Sequence, residues 1–67
     1  MTKDEAINAM KAGKKVAHRN FSADEWIGMV GETMIVTEED YRVDAKAFWQ
    51  DRQESSWKTS WRVVGDL

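Results

Sequence analysis

Apolar residues near the start of the chain fall at Ala6, Ile7 and Met10, the i, i+1, i+4 spacing of one helical face, with Asn8 and Lys11 opposite. Thr2-Lys3-Asp4-Glu5 has the form of a capping box. The Thr2 hydroxyl can accept from the Glu5 amide while the Glu5 carboxylate reaches back to the Thr2 amide, and Gly13 stands at the stop position. The pattern predicts a helix from about Lys3 to Ala12 whose narrow stripe covers a single surface. From Lys14 the period shortens around Val16, which predicts a strand ending near Arg19. The turn-rich run Asn20-Phe21-Ser22-Ala23-Asp24 follows.

Two apolar runs, Trp26 to Val30 and Thr33 to Thr37, flank Gly31-Glu32. A Gly-X pair in that setting predicts a type II′ two-residue hairpin. With Val30 opposite Thr33, the pairs become Met29 with Met34, Gly28 with Ile35, Ile27 with Val36, and Trp26 with Thr37. One face is then the apolar quartet Ile27, Met29, Met34 and Val36, suited to the first helix. The other carries Trp26, Val30, Ile35 and two threonines, too apolar for a solvated face, and is the expected interface or ligand surface.

The acidic run Glu38-Glu39-Asp40 reads as a solvated turn, and residues 38–44 fit strand, loop or helix. Asp44 can cap a second helix over about Ala45 to Arg52, with Ala45, Phe48, Trp49 and Arg52 at i, i+3, i+4 and i+7. A helix starting at Thr37 is the second choice, because β-branched Val43 interrupts it. Gln53 to Lys58 reads as loop and Thr59 to Val64 as a last strand, with Trp61 and Val63 on one side. The expectation is one α+β domain over residues 1–67, order α-β-β-β-α-β, with an antiparallel sheet of about four strands.

Composition sharpens this picture. Leucine occurs once, at Leu67, while Trp26, Trp49, Trp57 and Trp61 supply the large apolar surfaces, so aromatics carry the core. Ordering each residue costs about 1.5 kcal/mol, so a chain this short needs roughly 100 kcal/mol of burial to break even, and a homo-oligomer or a bound partner is expected to supply part of it. There is no cysteine and one histidine, which cannot complete a zinc site. No EF-hand pattern surrounds the acidic run, so neither metal nor cofactor is expected. No apolar run nears the roughly 20 residues of a membrane span, and no signal-peptide core follows Met1, so a cytoplasmic protein is expected.

Basic groups outnumber acidic ones five to two over residues 1–20, acidic ones dominate eight to two over residues 21–51, and three basic groups face two acidic ones over residues 52–67. The net charge of −2 speaks against a nucleic-acid protein, which needs a basic stripe, but leaves room for a local anion site. Catalytic motifs are missing: no Gly-rich phosphate loop, nucleophile elbow or His-Glu-x-x-His is present. His18, on a strand beside Arg19, reads as a packing or hydrogen-bonding residue rather than a general base, and no enzyme is expected.

Lys15, His18, Arg19 and Asn20 lead into Phe21 and Trp26, placing cations and amide donors near aromatic faces. Such a set can hold a phosphorylated base, with Arg on phosphate and the rings stacking the base. The plainer alternative is an edge strand whose charges prevent aggregation. Arg52 beside Trp49 and Arg62 beside Trp61 repeat the pairing, and Trp26, Val30, Ile35, Trp49, Arg52 and Trp61 are the expected interface residues.

The run Glu5 to Ala17, with its Gly13-Lys14-Lys15-Val16-Ala17 strand entry, resembles the opening of small phage proteins of the Thoeris anti-defence sponge family. His18-Arg19-Asn20-Phe21-Ser22 stands where that family has a basic residue, a tryptophan and an asparagine, and Trp61-Arg62-Val63-Val64 is similar to its closing strand. This chain is shorter, lacks the family's long middle segment, and has Phe21 and Ser22 at the Trp and Asn positions. The resemblance implies a phage protein acting in the bacterial cytoplasm against host immunity. It would be a homo-oligomer that sequesters a cyclic ADP-ribose-type or cyclic-nucleotide signal without cleaving it, with Lys15, Arg19, Asn20, Phe21 and Trp26 toward the ligand. The other expectation is an anti-CRISPR-like inhibitor that binds a host defence protein directly through its aromatic and acidic surface.

Overall fold

The computed structural model describes residues 1–67. Helix α1 spans Lys3–Lys11 and begins on the capping box: the Thr2 hydroxyl accepts from the Glu5 N–H at 3.2 Å and the Glu5 carboxylate accepts from the Thr2 N–H at 2.8 Å. Gly13, at φ 90°, lets the chain reverse from the helix end straight into strand β1, Lys14–His18. Strands β2 (Ile27–Val30), β3 (Met34–Thr37) and β4 (Arg42–Asp44) follow. Helix α2 (Ala45–Gln50), a single 3-10 turn over Ser55–Lys58 and strand β5 (Trp61–Asp66) complete the chain. The sheet has five strands in the order β4-β3-β2-β1-β5, antiparallel throughout, so β5 and β4 are its edges.

The α+β architecture matches the sequence pattern, with one strand more than expected. Residues 38–44 make a turn and the short strand β4. The Thr37 hydroxyl accepts from the Glu39 and Tyr41 amides, both at 3.3 Å, and Asp40 takes a left-handed φ of 63°. Val43 then pairs with Ile35, while the Asp44 carboxylate accepts from the Ala47 N–H at 3.1 Å and starts α2. The Thr37 helix start is thereby excluded, and α2 ends at Gln50, short of Arg52.

The β2–β3 hairpin differs from expectation by one residue. Val30 pairs with Met34, Met29 with Ile35, Gly28 with Val36 and Ile27 with Thr37, so the loop is Gly31, Glu32 and Thr33 rather than a two-residue turn. Gly31 does supply a positive φ, 70°, as a Gly-first turn requires. Thr33 is drawn into the loop because its carbonyl accepts from the Ala45 N–H at 2.8 Å, which binds the hairpin to the start of α2.

Side chains alternate across the pleat, so this shift exchanges the faces of β3. Ile27, Met29, Ile35 and Val43 share the helix-covered face with Val16, His18 and Trp61, and Ile35 is fully buried there instead of facing an interface. Met34 and Val36 join Gly28 and Val30 on the open face. Beneath the helices the core joins Ala6 and Met10 of α1, Phe48 of α2, Val16, Ile27, Ile35 and Trp61. Trp61 is likewise core in the single chain, its indole N–H donating to the Trp57 carbonyl at 2.8 Å.

Candidate functional site

The sheet separates the residues that the sequence grouped as a ligand site. Lys15 lies on the open face, its ammonium 4.5 Å from the Trp26 ring centroid. His18 points the opposite way, into the core, because three positions along a strand reverse the side-chain direction. Phe21 accompanies it, 6.2 Å from the imidazole and 5.6 Å from Trp61, while Arg19 and Asn20 are exposed at the end of β1. Phe21 thus packs with the core-side rings, whereas Trp26 pairs with Lys15 on the open face. Lys15 with Trp26 remains one cation–aromatic pair on the open face.

The structure gathers a second and denser set beside the far end of β1 from Lys15, where Trp57 packs on His18 and Phe21. A cleft of about 510 Å³ lies between the start of α1, α2 and the 3-10 turn. Four cations, Lys3, Lys46, Arg52 and Lys58, line it together with the indoles of Trp49 and Trp57 and the amides of Gln50 and Gln53, and no carboxylate is among them. A smaller depression of about 270 Å³ adjoins through the shared Lys3 and Lys58 and brings in Thr2 and Asp4.

Two of the four cations lie against rings. Lys3 Nζ sits 4.7 Å from the Trp49 centroid, and the Arg52 guanidinium lies 3.9 Å from that of Phe48 and 5.4 Å from that of Trp57. Arg52 Nη1 donates to the Phe48 carbonyl at 3.3 Å, whereas its buried Nε has no hydrogen-bond partner. None of the four cations takes part in an ion pair; the two in the protein are Lys14–Asp66 at 2.6 Å and Arg42–Asp40 at 4.0 Å. A chain of net charge −2 thus concentrates unpaired positive charge in one concavity beside two π-faces. Chemically, such a place attracts phosphate or carboxylate and stacks a planar group.

Arg52 and Trp49, three residues apart, both line the cleft as the sequence grouped them, but Arg52 stacks on Phe48 and Trp57 and the cation over Trp49 is Lys3. Lys3, Lys46, Trp57 and Lys58 were not legible as cleft residues, since only the tertiary fold brings the start of α1 and the 3-10 turn to α2. The four charges are spread over 56 positions of sequence, and no local spacing announces them.

Two carboxyl groups have lowered pKa values, both outside the cleft. The backbone N–H of Thr2, and next its hydroxyl, hold Glu5 below the ordinary carboxylate range. Lys14 does the same for Asp66, by hydrogen bond first and charge second. No group of three or more His, Asp and Glu side chains is arranged to hold a metal ion. No helix is long and apolar enough to cross a membrane. No family model matches the chain, and no curated protein or solved structure matches it.

Proposed function

We propose that this protein is a non-enzymatic binder that sequesters a nucleotide-derived anionic signal, with the cleft of Lys3, Lys46, Arg52, Lys58, Trp49 and Trp57 as its site. The single observation that carries this is the cleft itself: unpaired cations converge on two indole faces with no carboxylate between them. Phosphate oxygens would be met by Arg52 and the lysines, the base would stack on Trp49 or Trp57, and the free functions of Gln50 and Gln53 would reach ring edges. The resemblance of residues 5–17 and 61–64 to anti-defence sponges gives the ligand class and the setting, a phage protein in the cytoplasm of its bacterial host. Within this proposal the chain acts as a homo-oligomer.

Isothermal titration at low salt with AMP and ADP tests the assignment. Saturable binding is expected, weakened about tenfold or more in Lys46→Glu and Lys58→Glu, since a charge-assisted contact is worth about 1.5–3 kcal/mol. Both side chains are exposed, so neither change disturbs the core. The probe should be recovered intact. Absence of binding to either nucleotide, or conversion of the probe to product, would reject the assignment.

One further observation favours direct inhibition of a host or defence protein. On the open sheet face Val30 is 43% exposed and Met34 36%, and half-exposed Leu67 lays its side chain over Gly28 of the same face. With Trp26 these expose apolar area on the sheet face opposite the helices; relative to the face inferred from sequence, the register removes Ile35, Thr33 and Thr37 and adds Met34 and Val36. A nucleotide-insensitive complex abolished by Met34→Glu would select this function over sequestration.

A further inference from the structure

His18 is the best-bonded side chain in the protein, and the cleft does not include it. It is 1% exposed. Its Nε2 lies 2.7 Å from the Ser56 carbonyl and 2.7 Å from the Thr59 carbonyl, and its Nδ1 lies 3.0 Å from the Asn20 backbone N–H. Those partners fix the tautomer. Carbonyls only accept and an amide N–H only donates, so Nε2 carries the proton, shared between two carbonyls, and Nδ1 carries a lone pair. The ring is held between Trp57, at 4.4 Å, and Trp61, at 4.7 Å between centroids.

The two carbonyls that His18 grips lie within and just after the 3-10 turn Ser55–Lys58, which brings Trp57 and Lys58 to the cleft. Other bonds from the same end of β1 converge on this turn: the Arg19 N–H donates to the Ser60 carbonyl at 3.1 Å, and the Asn20 amide donates to the Ser56 hydroxyl at 3.4 Å. Ser60 holds a left-handed φ of 72°, a conformation that a non-glycine residue keeps only when its surroundings impose it. The short 3-10 turn has no sheet pairing of its own and is followed, two residues on, by the strained Ser60, so its position depends on bonds from the rest of the fold.

We propose that His18 is a positioning residue for the cleft: through Ser56 and Thr59 it fixes the 3-10 turn, and so sets where Trp57 and Lys58 stand for a ligand that it never touches. The sequence grouped His18 and Asn20 with the ligand-binding residues; here they serve the site from behind. The binding arm of the test rests on the function proposed above, whereas the conformational arm does not.

The test uses the full chain labelled with 5-fluorotryptophan, its four 19F resonances assigned by single Trp→Phe substitutions. His18→Phe keeps a ring in the cage and removes all three hydrogen bonds, and His18→Gln keeps a donor and an acceptor. In His18→Phe the Trp57 resonance should shift or broaden while that of Trp26, across the sheet, stays in place, and AMP affinity should fall about tenfold. His18→Gln should recover both toward the parent. A His18→Phe protein that is folded by circular dichroism with an unmoved Trp57 resonance overturns the proposal. If the parent binds no AMP, the cleft assignment fails and the Trp57 resonance still decides the role of His18. Should His18→Phe fail to fold, long-range 1H–15N spectra of the parent decide: an Nε2–H tautomer with a slowly exchanging ring proton is expected, and an Nδ1–H tautomer or rapid averaging overturns it.

Discussion

Replacing Arg52 by methionine separates binding from stability. The guanidinium contributes cation–π contacts to Phe48 and Trp57, at 3.9 and 5.4 Å, each worth about 0.5–1 kcal/mol at a half-exposed site. Its hydrogen bond to the Phe48 carbonyl is long, 3.3 Å, and worth about 0.5–1.5 kcal/mol. Against these stands the buried Nε, whose unpaired N–H costs about 1–3 kcal/mol and disappears with the substitution. A methionine stem keeps apolar contact with both rings. The opposing effects nearly cancel, so stability should change by no more than about 1 kcal/mol, a melting shift within about 4–8 °C for a domain of this size. Binding has no such compensation. Loss of a charge-assisted contact to phosphate, about 1.5–3 kcal/mol, should weaken AMP roughly tenfold to a hundredfold. Thermal melts followed by circular dichroism and calorimetric titration read the two quantities separately. A melting point lowered by more than about 15 °C would make Arg52 a structural keystone, and unchanged AMP affinity would remove it from the site.

Three further outcomes follow from the fold. Ile35→Val should cost about 1 kcal/mol, and so lower the melting point by about 4–8 °C, because Ile35 is fully buried. Met34→Ala, on the open face, should cost less, and the reverse order would restore the two-residue turn and contradict the register described here. Acid should weaken the start of α1: the Glu5 pKa is lowered in the folded state, so its contribution is fully present above the ordinary value of 4.5 and is lost as pH falls through the lowered one. Melting of Glu5→Gln against the parent should therefore differ most near neutrality and converge in acid, and a difference that persists there would assign Glu5 another role. The Asp66 carboxylate, lowered by Lys14, predicts the same direction for Asp66→Asn at the edge of the sheet.

Elements whose signals are local were legible in the sequence. Thr2 and Glu5 cap α1, Gly13 ends it, and Asp44 caps α2, each through bonds spanning three residues or so. Gly31 also marked its turn correctly. What the sequence did not reveal was that the Thr33 carbonyl is engaged by Ala45, a contact twelve residues away that lengthens the loop and exchanges the faces of β3. Strand β4 is three residues long with only Val43 turned inward, too brief for periodicity to separate it from a turn.

The residues grouped as a ligand site are divided for a similar reason. Lys15, Arg19, Asn20, Phe21 and Trp26 are close in sequence, yet the pleat of β1 sends Lys15 and Ala17 to one face and Val16 and His18 to the other. Cation–aromatic contacts occur both at Lys15 with Trp26 and, more densely, around the cleft. The denser set depends on Lys3, Lys46 and Lys58 meeting across α1, α2 and the 3-10 turn, which is tertiary information.

The most direct test of sequestration is native mass spectrometry on protein purified gently from bacterial cells that produce cyclic-nucleotide signals. An oligomer carrying a nucleotide-sized adduct, released at unchanged mass on denaturation and missing from the Arg52→Met protein, is the expected result. A bare species that accepts no nucleotide, in the parent as in the variant, would contradict the account and turn attention to a protein bound on the open face of the sheet.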